Sequence, residues 1–421
     1  MLLTDSKGKN LYVSDEPFAR GGEGDIHQVT GSHHKGCCVK IFHKNKIQTR
    51  KAKLEYMVNH PLSAPANTSY RICWPEDLVY KNGACVGFVM QLSFEESHSL
   101  YDIYLKDGSD KFQRSTQRGM VNRYILLYNI ANVLNILHAL GYVMVDFKPQ
   151  NILFTDKGGI SMIDMDSVQI ESNGKLLFES SAATAEYSYP NELHLLGNGK
   201  LSTEWDEYGF AVVAYQLLLG IHPFTASTNT VDNKGASIST TDQLMQNNLF
   251  PFGPRKEDIT AKPPLHFYFY ELPSDLKKLF IHTFDLKHSS PSMTEWKECL
   301  KKIITKKKAV PNMFRVNPKQ PIFILTSKLP KNLDKNREIK IKWASFFCEQ
   351  LNINEKDVTN KKSLTLTVPK NGLIKILASN KNGTFQKTIE IQNLSLYCIY
   401  CGNKFEQAED MYCTYCGRER N

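Results

Sequence analysis

Two kinds of hydrophobic periodicity divide the chain. From residue 10 to 92, short β-branched and aromatic runs (LYVSD, DIHQVTG, CCVKIF, EDLVY, ACVGFVMQL) are broken by turns and interrupted by one helical stretch at 49–59. This pattern predicts a small antiparallel sheet carrying a single helix. From 93 to 305 the period becomes helical, most clearly over 124–140, 206–219, 273–284 and 291–304, with two short strands, NILF and ISMID, around the Lys-Gly-Gly turn at 157–159. Residues 220–270 carry many Asn, Thr, Ser and Pro and read as a long surface excursion. Beyond a basic linker at 305–312, the runs IFILTS, EIKIKWASF, SLTLTVP, GLIKILAS and TFQKTIEIQ predict a compact β-sandwich over 313–395, of Ig-like type with Trp343 in its core. The fold class is therefore α+β: a β-rich lobe and a helical lobe with a cleft between them, then a second β unit.

Length and composition refine this picture in three places. At 421 residues the chain exceeds one ordinary domain. The N-terminal MLLTDSKGKNLY turns polar too soon for a signal peptide, and the longest apolar stretch, 124–145, carries Asn129, Asn132, Asn135 and His138, so no membrane role is expected. Ten cysteines, four of them near the C-terminus and the rest scattered, suit a reducing cytoplasm and one metal site better than a disulfide scaffold. The formal charge of +9 comes partly from short lysine runs such as 306–308, which read as solvated surface.

The candidate chemistry of the first 305 residues lies in four motifs: FARGGEGDIHQV, CCVKIF, VDFKPQNIL and IDMD. Glycines in the first allow backbone N–H groups to approach phosphate oxygens without an intervening side chain. The second flanks Lys40 with apolar strand residues, a placement that is expensive to desolvate without a partner. In order and spacing the four resemble a protein kinase, over residues 10–305 with a small lobe at 10–92 and a large lobe at 93–305.

That resemblance implies specific roles. Gly21, Gly22 and Gly24 would cover the phosphates of ATP, Lys40 would hold its α- and β-phosphates, and Glu55 on the helix would pair with Lys40. Met90 would back the adenine pocket, with Gln91 and Leu92 as the hinge. Asp146 would serve as catalytic base, Lys148 would neutralise the transferring phosphoryl group, and Asn151 with Asp164 would hold Mg, or Mn. Asp166 reads as a cap, and Asp206 as a brace for the catalytic-loop backbone.

Departures from the kinase pattern also inform. Met144 and Val145 stand where many kinases have His-Arg, so the arginine that reads activation-loop phosphate is absent. Asn191 follows Pro190 in place of glutamate, and Ser290 replaces that glutamate's arginine partner. Ala19 stands at the first glycine position, and Met165 and Asp166 replace the Phe and Gly of the metal-binding segment. On these alterations a second reading is a nucleotide-binding pseudokinase acting as a scaffold.

At the C-terminus, Cys398-x-x-Cys401-Gly and Cys413-x-x-Cys416-Gly are two copies of one knuckle over 396–421, and four thiolates at this spacing predict a tetrahedral Zn ribbon. Nearly balanced charge around it argues against nucleic-acid binding. The combination resembles a bacterial Ser/Thr kinase subfamily with an appended zinc ribbon, from tellurite-resistance-type gene clusters. The resemblance implies a cytoplasmic enzyme with a protein substrate, and a metal-dependent protein phosphatase and a von Willebrand A-type protein as partners.

Overall fold

The structure is a computed structural model that describes residues 1–43, 46–62, 68–105, 110–232, 235–305, 320–330, 333, 337–369, 371–391, 398, 400–401, 403, 412–416 and 418. Two compact units emerge, one from residues 1–262 and 273–310, the other from 263–272 and 311–421.

The first unit begins with strands β1 (Leu2–Asp5), β2 (Asn10–Val13), β3 (Ala19–Arg20), β4 (Gly24–Gly31) and β5 (Cys37–Phe42). Helix α1 (Ile47–Asn59) follows, then β6 (Tyr70–Ile72), β7 (Pro75–Lys81) and β8 (Ala84–Gln91). Seven of these strands form a sheet in the order β2-β1-β7-β8-β5-β4-β3, and β2 also pairs with β4, so the sheet closes on itself. The strands start at Leu2, ahead of the expected boundary at 10, because Leu3, Leu11 and Val13 alternate inward to share a core with Val39, Val79 and Val89. Gly87 lets β8 lie against β5: a Cβ there would fall 1.8 Å from the Lys40 carbonyl oxygen.

The helical lobe opens with β9 (His98–Ser99) and α2 (Tyr101–Tyr104) and is built on α3 (Gln117–Ala139). The Thr116 hydroxyl caps α3 by accepting from Gly119 N–H at 3.0 Å. Fully buried Arg123 on this helix donates to the carbonyls of Phe112, Ile103 and Leu217, each at 2.7 Å, which tolerates its charge inside. Next come β10 (Tyr142–Val143), the hairpin β11 (Ile152–Phe154) and β12 (Ile160–Met162), and β13 (Gln169–Ser172) with β14 (Lys175–Phe178). Helix α4 (Glu204–Leu219) is buried from Trp205 to its end, mostly with apolar side chains, and stops at Gly220 with φ 73°.

The stretch expected to be a surface excursion is partly core. It contains β15 (Ser227–Thr228), α5 (Thr241–Gln246) with a complete capping box at Thr240 and Gln243, and β16 (Ile259–Ala261). Phe224, Leu249 and Phe250 are fully buried, the phenylalanines packing against Tyr215 and Phe284. Helices α6 (Ser274–Thr283) and α7 (Met293–Thr305) complete the lobe.

In the second unit the described strands are β17 (Ile322–Leu325), β18 (Glu338–Phe346), β19 (Gln350–Ile353), β20 (Lys356–Asp357), β21 (Ser363–Thr367), β22 (Leu373–Asn380) and β23 (Gly383–Glu390). They make two antiparallel sheets, β17-β18-β21 and β20-β19-β22-β23. Phe323, Ile341 and Trp343 of the first sheet and Leu351, Ile374 and Ile376 of the second belong to one buried cluster. Residues 263–272, expected within the helical lobe, join this unit instead, through a tilted ring contact of Phe267 with Phe346 and a 2.8 Å ion pair between Glu271 and Lys387.

Candidate active site

Strand β5 places Lys40 on its inward face, where it is only 5 % exposed. Its Nζ donates to Asp164 Oδ1 at 2.6 Å and to Asp166 Oδ1 and Oδ2 at 2.8 and 3.0 Å. Burial alone would lower the Lys40 pKa, but the charges of Asp166 and Asp164 outweigh it and hold the ammonium above its ordinary value. Burial likewise pushes the wholly buried Asp166 up, offset in part by Lys40. For Asp164 the balance is reversed: Lys40 overcomes burial and keeps the carboxyl low.

Glu55 is not the partner of Lys40. It faces solvent on α1 and pairs with Lys51 at 3.5 Å. The inward stripe of this helix runs through Lys53, Leu54 and Met57, with Arg50 one turn before, and Glu55 falls off it. Arg50 instead donates to Glu23 in the glycine turn at 2.6 Å and sits 3.8 Å from Asp166 Oδ2. Thus α1 turns a cationic face inward, and the acid that holds Lys40 comes from the segment after β12.

The loop between β10 and β11 carries the second group of residues. Asp206, at the start of α4 and fully buried, accepts from the backbone N–H of Met144 at 2.7 Å and of Val145 at 3.1 Å, while the Trp205 indole donates to the Val145 carbonyl at 2.8 Å. These bonds hold Val145 at φ 65°, a conformation a β-branched residue adopts only under constraint. Asp146, so oriented, meets Lys148 Nζ at 2.6 Å through Oδ2 and the Thr184 hydroxyl at 2.8 Å through Oδ1. Lys148 also donates to Thr184, at 3.1 Å. Asn151 Nδ2 donates to the Asp146 carbonyl at 2.9 Å, which leaves its side-chain oxygen as the acceptor for a hard cation.

Between the lobes lies a cavity of about 530 Å³, lined by Gly21, Gly24, Lys40, Asp146, Asn151 and Asp164 among others. Gly24 sits where any side chain would collide with β5, since a Cβ would fall 2.4 Å from the Ile41 carbonyl oxygen. Gly22, Met90, Gln91 and Leu92 line the same cavity, whereas Lys148 and Glu55 do not. The N–H of Leu92 already donates to the Gly36 carbonyl at 3.0 Å, so what Leu92 offers a ligand is its side chain.

Three contributors escaped the sequence reading: Asp166, Thr184 and Lys53. Lys53 is buried, and among the described residues no carboxylate lies within 4 Å of it; burial pulls its pKa from 10.5 down to about 8. Because Lys53 binds fewer protons in the folded chain than in the unfolded chain between those values, its own contribution to stability rises with pH from 8 to 10.5, against the opposite contribution of buried thiols such as Cys38 and Cys73. Lys53→Met should remove that contribution, so that its stability changes less favourably with pH over this range than the wild type's, and add up to roughly 3 kcal/mol at neutral pH. Denaturant melts of both proteins at neutral and alkaline pH check this; an unchanged slope would refute it.

At Asn191 and Ser290, where the charge pair of the kinase pattern is missing, a hydrogen-bond network around Glu204 stands in its place. Asn191 donates to the Tyr189 hydroxyl at 3.0 Å and to the Leu286 carbonyl at 2.9 Å, and Glu204 accepts from Tyr189 and from the Ser290 N–H, both at 3.1 Å. Such a replacement of both ends avoids a stranded buried charge.

In the second unit the four sulfurs of Cys398, Cys401, Cys413 and Cys416 lie within 4.8 Å of one another, with Cys398–Cys416 at 3.5 Å and Cys401–Cys413 at 3.6 Å. Four thiolates on one tetrahedral Zn would be about 3.8 Å apart, so the set fits that ion closely. The two knuckles repeat the same bond, Cys398 N–H to Asn403 O at 2.7 Å and Cys413 N–H to Arg418 O at 2.8 Å.

The family model described as protein kinase domain matches residues 12–307. Serine/threonine-protein kinase Sgk1 of Mus musculus is 26% identical over 238 residues, 53% of this chain and 51% of that protein. Serine/threonine-protein kinase mrck-1 of Caenorhabditis elegans is 30% identical over 167 residues, 37% of this chain and 10% of its own length. Citron rho-interacting kinase of Rattus norvegicus is 27% identical over 150 residues, 33% and 7% of the respective chains. The aligned region is therefore about half of the first of these proteins and a small part of the other two.

Proposed function

Because the chain belongs to the protein kinase domain family, we propose that it transfers the γ-phosphoryl group of ATP to Ser or Thr hydroxyls of a protein substrate. The observation that carries this reading is the meeting of Lys40, Asp146, Asn151 and Asp164 around one cavity beneath the glycine turn. The residues fit Mg, or Mn: Asp164 and the free oxygen of Asn151 are hard donors beside a cavity that also receives a lysine. When bound there, the ion neutralises charge on the phosphates.

Each side chain then has a task. Lys40, kept charged by Asp166, turns its ammonium to the α- and β-phosphates. Asp146 accepts the proton of the attacking hydroxyl from a position fixed by Asp206 through Met144 and Val145. Lys148, bound to Asp146 and Thr184, supplies positive charge to the transferring group. Phosphoryl transfer needs mainly such positioning and charge compensation, so a fixed polar constellation suffices.

Incubation of the full chain with radiolabelled ATP and Mg, followed by phosphoamino-acid analysis, tests this directly. Phosphoserine or phosphothreonine is expected on the chain or a protein acceptor. Nucleotide binding with no transfer to any protein would favour the scaffold reading instead.

The four-cysteine cluster supports a structural Zn ribbon, since all four ligands are thiolates and no coordination position is left open. So short a segment has little core, and metal binding supplies its folding energy, on the order of 10 kcal/mol. Chelation should release one Zn per ribbon and expose its thiols to a colorimetric reagent, leaving the melting of the kinase unit in place. Retention of protected thiols after complete metal removal would count against it.

The knuckles together with the Ile-Asp-Met-Asp segment support assignment to the bacterial ribbon-bearing subfamily, with a phosphatase and a von Willebrand A-type protein as partners and the two-sheet unit as its Ig-like module. Ten free cysteines suit a cytoplasmic setting, and no helix among the described residues is long and apolar enough to cross a membrane.

A further inference from the structure

A second cluster of metal-ligating side chains lies away from the cavity, on the closed sheet of the small lobe. Asp5 ends β1, and His33 and His34 occupy the turn between β4 and β5. Asp5 Oδ1 is satisfied by the N–H groups of Lys7 at 2.9 Å and Lys9 at 2.8 Å. Its other oxygen, Oδ2, is buried and accepts no hydrogen bond, although the side chain is 0% exposed. His34 Nε2 is also buried without a hydrogen bond. His33 Nε2 stands 3.3 Å from Asp5 Oδ2, and one ligand atom from each of the three residues falls within a mutual 4.8 Å.

We propose that Asp5, His33 and His34 bind a divalent transition-metal ion, Zn²⁺ being the best match, and so clip the first strand to the β4–β5 turn. Two buried polar atoms that make no hydrogen bond are each desolvated without compensation, and a shared cation relieves both at once. Two imidazoles and one carboxylate suit Zn²⁺ and not the harder Mg²⁺ or Ca²⁺. At metal–ligand distances near 2.1 Å, neighbouring tetrahedral ligands stand roughly 3.4 Å apart, which the Asp5–His33 pair already meets. The half-exposed His33 ring has room for the small closure that completes the set.

Each of the two atoms has an ion-pair neighbour, His33 at 3.3 Å from Asp5 Oδ2 and Asp77 at 3.6 Å from His34 Nε2, but neither contact is a hydrogen bond. Asp77 Oδ2 is 3.6 Å from His34 Nε2 yet makes no hydrogen bond to it, and it is free to take the fourth position that water would otherwise fill. Cys37 also lies close to His34, but its thiol is directed at Glu76 Oε2 at 3.6 Å and at the Lys35 carbonyl at 3.8 Å. The carboxylate oxygen bonded to two backbone amides holds the opposite oxygen in place, the arrangement by which outer contacts orient a metal ligand.

Zinc content and X-ray absorption of the full chain, equilibrated with micromolar Zn²⁺ and washed, test the proposal. The expected result is two Zn per chain with a mixed shell of sulfur and nitrogen or oxygen scatterers. The double variant His33→Ala/His34→Ala should lose one equivalent, retain a pure sulfur shell and keep its phosphotransfer rate; Asp5→Asn should bind the second Zn at least tenfold more weakly. A wild-type chain with one Zn in an all-sulfur shell overturns the proposal, whatever the variants do. One Zn with only nitrogen and oxygen neighbours would uphold it and overturn the ribbon reading, so the two fail separately.

Discussion

If Asp146 is the proposed base, Asp146→Asn should leave a protein that still binds nucleotide but transfers phosphate far more slowly. The amide keeps the size of the carboxylate, and Asn151 still bonds the backbone carbonyl of residue 146, so the loop retains its path. What is lost is the acceptor for the hydroxyl proton and the charge that holds Lys148 at 2.6 Å. General-base removal typically costs 10²–10⁴-fold, so turnover should fall by roughly that factor while the thermal shift produced by Mg-ATP persists. Autophosphorylation at the wild-type rate would remove Asp146 from the mechanism.

The second large effect lies at Asp166, and it is sharpest as a contrast. Asp166→Asn strips the buried carboxylate that meets Lys40 through both oxygens. Breaking a buried pair from one side costs about 3–5 kcal/mol, equivalent to a roughly 10²–10³-fold loss in kcat/KM if the lysine is displaced. Glu55→Gln, in contrast, breaks only an exposed pair with Lys51 and should change the rate less than about twofold. Steady-state kinetics of both variants decide the matter. A dead Glu55→Gln beside an active Asp166→Asn would return the role to the helix.

These two residues also mark where sequence reasoning stopped. The loop from Asp146 to Asn151 was legible because its chemistry is local: an acid, a lysine, a proline and an amide within six positions can be read without knowing the fold. Lys40 and Asp164 were named through the resemblance of their segments to a protein kinase, Lys40 with the added cue of its apolar strand neighbours. The anchor of Lys40 was not, because the kinase resemblance assigns it to the helix, where Glu55 is the only carboxylate. The helix period itself excluded that choice: Leu54 and Met57 fix the inward stripe, and Glu55 lies a third of a turn away from Leu54. Thr184 was invisible for a different reason. A threonine 38 residues after the acid it bonds has no local signature, and only the return of the chain past the catalytic loop brings its hydroxyl to Asp146.

The same limit applied to packing. A stretch rich in Asn, Thr and Pro reads as solvent-facing, yet Phe224 and Phe250 within it are core residues, since single aromatics can be buried without any periodic pattern. At 263–272 the register of helices and turns gave no hint that the segment belongs with the β unit; that follows from Phe267 meeting Phe346 and Glu271 meeting Lys387 across more than seventy positions.

The pairing of β2 with both β1 and β4 has a consequence for recognition. With β3 and β2 taking successive stretches along one side of β4 and β5 taking the other, that strand offers no run of unpaired amides to an extended peptide. Visitors that bind by adding a strand have no place to dock along β4.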